Sequence, residues 1–176
     1  RYTMRNERTL YSRTCDLTGQ PIVTIFAPDS PYTVHSQTAW WGDGWDQQQF
    51  GREVDFTRPI FDQMKDIQLQ QPRIALLAKD SDNSAYTNHS SNNRNCYFGF
   101  SVLFSEEVYY GNMNFRCTSC ADCYCLYDNS ELCYEAFYCH NCYGCAYVTQ
   151  CRSCTDVWFS FDLSGCEKCF LSWNLR

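Results

Sequence analysis

The chain has 176 residues, of which 44% are apolar, 17% aromatic and only 19% charged, with a formal net charge of -6. Aromatic residues at this level supply enough area for a folded core. With no basic stripe a nucleic-acid partner is disfavoured, and no apolar run approaches the ~20 residues a membrane-spanning helix needs.

Cysteine is the anomaly. There are fourteen, and only Cys15 precedes Cys96. That segregation implies two differently built regions: a small α+β unit over residues 1–79 and a cysteine-rich array over 80–176. The opening Arg1-Tyr2-Thr3-Met4 is neither an initiator methionine nor a signal peptide, and both ends read as cut.

In chain order, Thr14-Cys15-Asp16-Leu17-Thr18-Gly19 is a tight turn, with Gly19 free to take positive φ. Pro21 to Phe26 reads as a β-branched strand, and Tyr32 to His35 is expected to pair back on it. Cys15/Thr18 and Ser36/Ala39 have the spacing of a CxxC…CxxC zinc ribbon in which a single ligand survives. One thiolate does not hold a structural zinc, so the segment reads as a hairpin or a degenerate ribbon.

Trp40, Trp41 and Trp45, interleaved with Asp43 and Asp46, form either a lid over a small core or a sugar-stacking surface. Arg52, Asp55 and Arg58 around Phe56 suggest an ion-paired connection. A helix follows, with Thr57 as cap and Pro59 in its first turn. Its apolar residues Ile60, Phe61, Met64 and Ile67 recur at helical spacing and are expected to face a core. Pro72 ends it, and Arg73 to Ala78 reads as one buried strand. The Asn- and Ser-rich stretch 80–95 is read as the first turns of a solenoid in preference to a linker.

From Cys96 onward a polar–Cys/Val–aromatic fragment recurs, as in Asn95-Cys96-Tyr97, Asp122-Cys123-Tyr124 and Asn141-Cys142-Tyr143. Repetition decides the fold. The best period is about twelve: Cys142/Cys154, Cys154/Cys166, Tyr97/Tyr109 and Tyr147/Phe159 all obey it, with a slip to thirteen between Cys120 and Cys133. The expected fold is mainly β, a β-solenoid of about twelve residues per coil. At ~3.3 Å per residue such a coil has a perimeter of about 40 Å. Its interior admits only small side chains, and Cys is small, apolar and content when buried. Aromatics that follow a Cys then point outward and stack.

Three chemistries stay open for the thiols. They are core residues first. Disulfide ladders would imply an oxidising compartment. A metal site, zinc or iron–sulfur, would use CxxC pairs, with Cys139, Cys142, Cys151 and Cys154 as the best quartet. His35, His89 and His140 are scattered, and there is neither a Gly-rich phosphate loop nor HExxH, so no catalytic residues are assigned and no enzyme is expected.

The segments Arg5-Asn6-Glu7-Arg8-Thr9-Leu10-Tyr11, Cys15-Asp16-Leu17-Thr18-Gly19, Trp40-Trp41-Gly42-Asp43-Gly44-Trp45-Asp46 and Asp55-Phe56-Thr57-Arg58-Pro59, with Tyr86-Thr87-Asn88 and Asn95-Cys96-Tyr97, span most of the chain. Through them the sequence resembles a cysteine-rich family without an established activity, found chiefly in genomes of ultrasmall candidate-phyla bacteria. The resemblance implies Cys at the positions of Thr18, Ser36 and Ala39, from which this chain departs, and a cytoplasmic, reduced setting. An extracellular setting would follow if the cysteines were disulfides.

The sequence therefore supports a structural or interaction scaffold without a resident cofactor, with a small unit capping a Cys-lined solenoid and a homo-oligomer or another protein as partner. Zinc binding through CxxC pairs and sugar binding at the Trp cluster are the alternatives.

Overall fold

The computed structural model describes residues 9–124 and 140–174. The chain divides into two compact units, Arg1–Leu76 and Leu77–Arg176.

In the first unit β1 (Tyr11–Thr14) pairs antiparallel with β2 (Pro21–Thr24). The turn between them closes through Gly19, whose φ is +70°, with the Gly19 N–H on the Cys15 carbonyl at 2.8 Å. The partner of β2 is thus the preceding strand and not the expected Tyr32–His35. Within that segment β3 (Val34–His35) runs parallel to β4 (Arg73–Ile74). Two backbone links explain this choice. The Asp16 N–H donates to the Val34 carbonyl, and the Val34 N–H to the Asp16 carboxylate, so the turn captures β3. The Thr24 hydroxyl, fully buried, donates to the Ala75 carbonyl at 3.0 Å and holds the far end.

Two short helices were not legible in the sequence. Ser36 caps α1 (Gln37–Trp41) by accepting the Ala39 N–H, and Asp46 caps a 3₁₀ turn (Gln47–Phe50) by accepting the Gln48 N–H. The expected long helix is present as α2 (Ile60–Gln70), but two of its details differ. Thr57 does not cap it: its hydroxyl and N–H both donate to Asp55, and Pro59 occupies the cap position without a side-chain bond. Its apolar stripe does not face a core either. Phe61 is 79% exposed, and Ile60 and Met64 are about half exposed. The helix is instead tied down from its polar side, where Gln63 exchanges hydrogen bonds with the Asp55 backbone and Arg58 pairs with Asp66. The one strand expected at Arg73–Ala78 is interrupted, with β4 ending at Ile74 and the next strand starting at Ala78.

The second unit is a β-solenoid of about six turns with twelve-residue spacing. β5 (Ala78–Lys79), β6 (Ser90–Ser91), β7 (Phe100–Leu103) and β9 (Asn112–Phe115) form one parallel ladder, and β8 (Glu106–Tyr109) pairs with β10 (Thr118–Ala121). Partners such as Phe100↔Asn112 and Glu106↔Thr118 are twelve apart. Further on, β11 (Tyr143–Ala146) pairs with β12 (Asp156–Trp158). The Asn- and Ser-rich stretch 80–95 belongs to the first coils, as Asp82↔Arg94 and Ala85↔Tyr97 are bridged.

A second period of three lies inside the twelve. Every third residue from Asp80 to Asp122 has φ near +50°, including Tyr86, Phe98 and Tyr110. An extended chain points successive side chains to opposite faces. One left-handed residue after each extended pair resets the direction, so every third side chain turns inward and the coil has four sides. The inward set includes Thr87, Ser90, Asn93, Cys96, Val102, Ser105, Val108, Asn114, Cys117, Cys120 and Cys123, all buried. Each left-handed non-glycine residue costs of order 1 kcal/mol. The cost is met by parallel backbone bonds on both sides of the corner, such as Asn95 N–H to Asp82 O and Tyr97 N–H to Val108 O.

Volumes compensate round the coil. A Cβ on Gly111 would lie 2.4 Å from Val108 Cγ1 and 2.9 Å from Asn114 Oδ1, and one on Gly99 would lie 2.8 Å from Val102 Cγ2. Glycine is what lets the larger neighbour in.

Candidate functional site

The inward side chains do more than fill space. In a three-residue side, the N–H groups of the two outer residues reach backbone carbonyls on neighbouring coils. The N–H of the inward residue reaches the side chain one coil back. Thus Asn93 N–H donates to Ser81 Oγ, Cys96 N–H to Ser84 Oγ, Ser105 N–H to Asn93 Oδ1 and Cys117 N–H to Ser105 Oγ. Val108 N–H does the same to the Cys96 sulfur. The accepting group in turn donates to the carbonyl two residues before it: Ser84 to Asp82, Ser105 to Leu103, Cys117 to Phe115, Cys120 to Thr118 and Cys123 to Ala121. A buried N–H left without a partner costs about 1–3 kcal/mol. Serine and cysteine are small groups that both accept and donate, and this accounts for their abundance beyond size alone. Burial pushes the Cys96 thiol above its ordinary pKa, although the Val108 N–H and Ser84 oppose it.

The later coils bring thiols together. Among the described residues, the one group of ligating atoms that converges is Cys142, Cys145 and Cys154, whose sulfurs lie within 4.8 Å of one another. All three are buried. Cys154 sits one coil after Cys142, and it is hydrogen-bonded to Cys142, Cys145 and Cys151. Those bonds, the one to Cys142 first, push its thiol far above the ordinary range, helped by burial and opposed by Cys151. Of the quartet expected from spacing, Cys142, Cys151 and Cys154 meet in this way. Cys139 lies outside the described residues, and Cys145 is the member that spacing missed. The signal that could have found it is the period of three: Cys142, Cys145 and Cys151 all fall on inward sides of one coil. No disulfide joins the described cysteines to one another.

Comparison with protein-family models, with curated proteins and with solved structures gives no match.

In the first unit, Cys15 and Ser36 are in contact. Cys15 is 1% exposed, and its sulfur accepts the Ser36 N–H at 3.2 Å, while Ser36 Oγ caps Ala39. Burial pushes the Cys15 thiol up, but the Thr18 hydroxyl and the N–H groups of Ser36, Thr18 and Leu17 more than offset this and bring it down to about 7. The Thr18 hydroxyl is a hydrogen-bond partner of the Cys15 sulfur.

The indoles are divided. Trp40 and Trp45 pack at 4.7 Å with Trp45 Nε1 on the Trp40 carbonyl, and both contact buried His35 edge-on. They cover a small core. Burial lowers the His35 pKa, against the pull of Asp16. Trp41 is 61% exposed and Asp43 is exposed, whereas Asp46 is engaged as a cap.

Aromatics that follow inward residues lie outside the coils and stack along them. Tyr86, Tyr97 and Tyr110 form an edge-on series. Tyr147 lies nearly parallel to Phe159 at 5.1 Å, Phe159 meets Phe170 at 6.2 Å, and Phe161 stacks on Trp173 at 4.5 Å. Most of these rings are one-third to three-quarters exposed.

Proposed function

We propose that the protein is a structural interaction scaffold without catalytic activity, whose solenoid pairs through its aromatic ladders with a second copy of the chain. The observation that carries this reading is the exposed series Tyr147, Phe159, Phe170 with Phe161 and Trp173 beside it. Contiguous exposed aromatic surface of this kind marks interaction sites. A ladder with one rung per coil repeats about every 4.8 Å, and a surface of that period is matched rung for rung by a copy of itself in a two-fold arrangement. Buried thiols in this number fit a reducing, cytoplasmic setting.

Sedimentation velocity over a hundredfold concentration range tests the reading. A concentration-dependent dimer is expected, and Phe159→Ser with Phe170→Ser should return it to monomer with an unchanged far-UV spectrum. A strict monomer at the highest concentration overturns it.

A further inference from the structure

We infer that the later coils hold a soft divalent cation of the zinc class, bound by Cys142, Cys145, Cys151 and Cys154 on the solenoid axis. This goes beyond the scaffold reading and stands or falls separately from it.

The geometry carries it in three steps. First, three sulfurs already lie within 4.8 Å of one another. A tetrahedral tetrathiolate with metal–sulfur bonds of about 2.3 Å has sulfur–sulfur edges of about 3.8 Å, so side-chain rotation of about an ångström or less per pair closes the three edges among Cys142, Cys145 and Cys154. Second, among the described residues the coils offer Cys151 as the fourth ligand, its sulfur lying outside the 4.8 Å group of the other three. Cys151 shares the coil of Cys142 and Cys145 and is hydrogen-bonded to Cys154. Cys166 also bonds Cys154, but it is two coils from Cys142, roughly 9–10 Å along the axis, too far for one tetrahedron.

Third, the backbone leaves its regular course at this place. All corners from Asp80 to Asp122 are left-handed, and so are Gly144, Tyr147 and Gln150. Asn141, Ser153 and Asp156 are not, and neither, one coil on, are Gly165 and Lys168. The pairing of β11 with β12 shifts by one at the same point, from Tyr143↔Asp156 to Ala146↔Trp158. Of the corners given up, Ser153 and Asp156 lie inside the second CxxC pair and just after it, and the register shift lies opposite them. Cys117, Cys120 and Cys123 occupy three successive inward sides of a coil that keeps its corners, and their sulfurs do not converge to the same degree. Among the described residues, only the later place brings three sulfurs within reach of one ion.

Binding is an exchange. Four thiols release four protons as one dication enters, giving a tetrathiolate of net charge -2. Affinity therefore rises with pH. Thiolates select zinc-class and other soft ions over magnesium or calcium.

The probe is Co(II), added to the reduced, anaerobic full chain. The expected result is one equivalent bound, with a thiolate-to-cobalt charge-transfer band and the strong visible bands of a tetrahedral site, all bleached by Zn(II). Cys145→Ser and Cys154→Ser should each lose the tetrahedral bands, and Cys120→Ser should keep them. A wild-type measurement guards against variants that fail to fold: alkylation with and without Zn(II), mapped by peptide mass. Selective protection of Cys142, Cys145, Cys151 and Cys154 is expected. No cobalt spectrum, or protection that falls equally on Cys117, Cys120 and Cys123, overturns the site. Failure here leaves dimerisation untouched, and a monomer with a cobalt site refutes only the scaffold pairing.

Discussion

Cys117–Cys123 and Cys142–Cys154 are the same motif in two mechanical settings. Both place cysteines at successive inward sides, three residues apart. In the earlier coil each sulfur is held by the carbonyl two residues before it, and every corner is left-handed. In the later one Cys145 and Cys151 keep that bond, to the Tyr143 and Thr149 carbonyls, but the corners at Ser153 and Asp156 are not left-handed, and Cys154 bonds to Cys142, Cys145 and Cys151. The CxxC spacing therefore has no fixed meaning in this fold. The hydrogen-bond relay runs through both, and only in the later one do three described sulfurs also converge.

The comparison can be broken most severely by volume. Gly111→Val in the regular coils puts methyl groups into Val108 and Asn114, and should cost about 3 kcal/mol or more in urea unfolding. In the later coils Gly165, with nothing within 4 Å of its missing Cβ and no positive φ, should accept alanine with almost no change. Equal effects at the two glycines would refute the picture of a tight and a relaxed region.

A smaller effect tests the relay. Ser105→Ala removes both the acceptor for the Cys117 N–H and the donor to the Leu103 carbonyl, and should cost about 1–3 kcal/mol. Cys117→Ser preserves the donor to the Phe115 carbonyl and should cost well under about 1 kcal/mol. If the serine were as damaging as the alanine, cysteine would be present for size or ligation and not for hydrogen bonding.

The smallest effect concerns the lone thiol of the first unit. Cys15 is held down to about 7 in the folded state. A depressed pKa stabilises the fold above the unfolded value, and the gain is lost as pH falls through the folded one. Stability of the first unit should therefore rise between pH 7 and 9, and Cys15→Ser should flatten that slope. An unchanged slope would mean that the thiol stays protonated.

Much of the solenoid was legible. The twelve-residue period, the inward cysteines and the outward aromatics follow from repetition and side-chain volume. The three-residue spacing of the cysteines was visible, but the left-handed corner that sets it was not, because its signature is a backbone angle. Tyr86, Phe98 and Tyr110 are poor candidates for left-handed corners by propensity, and only the coil's ladder forces them there. For the same reason Cys145 was passed over: pairs twelve apart were counted, while the cluster depends on neighbouring sides of one coil. In the first unit, helical periodicity correctly located α2 but not its surroundings. An apolar stripe reports a face, and nothing in a single sequence says what covers it.

The left-handed corners give this polypeptide something like a reading frame. Inward positions run 117, 120, 123 before the undescribed segment and 142, 145, 148 after it. Cys123 and Cys142 are nineteen residues apart, so the frame differs by one across that stretch. Within 80–122 a single inserted residue would send every later core side chain to the surface. Three would keep the core but rotate each column by one side, and twelve would add a whole coil. Tolerated insertions in such a chain should come in triplets, and neutral ones in dozens.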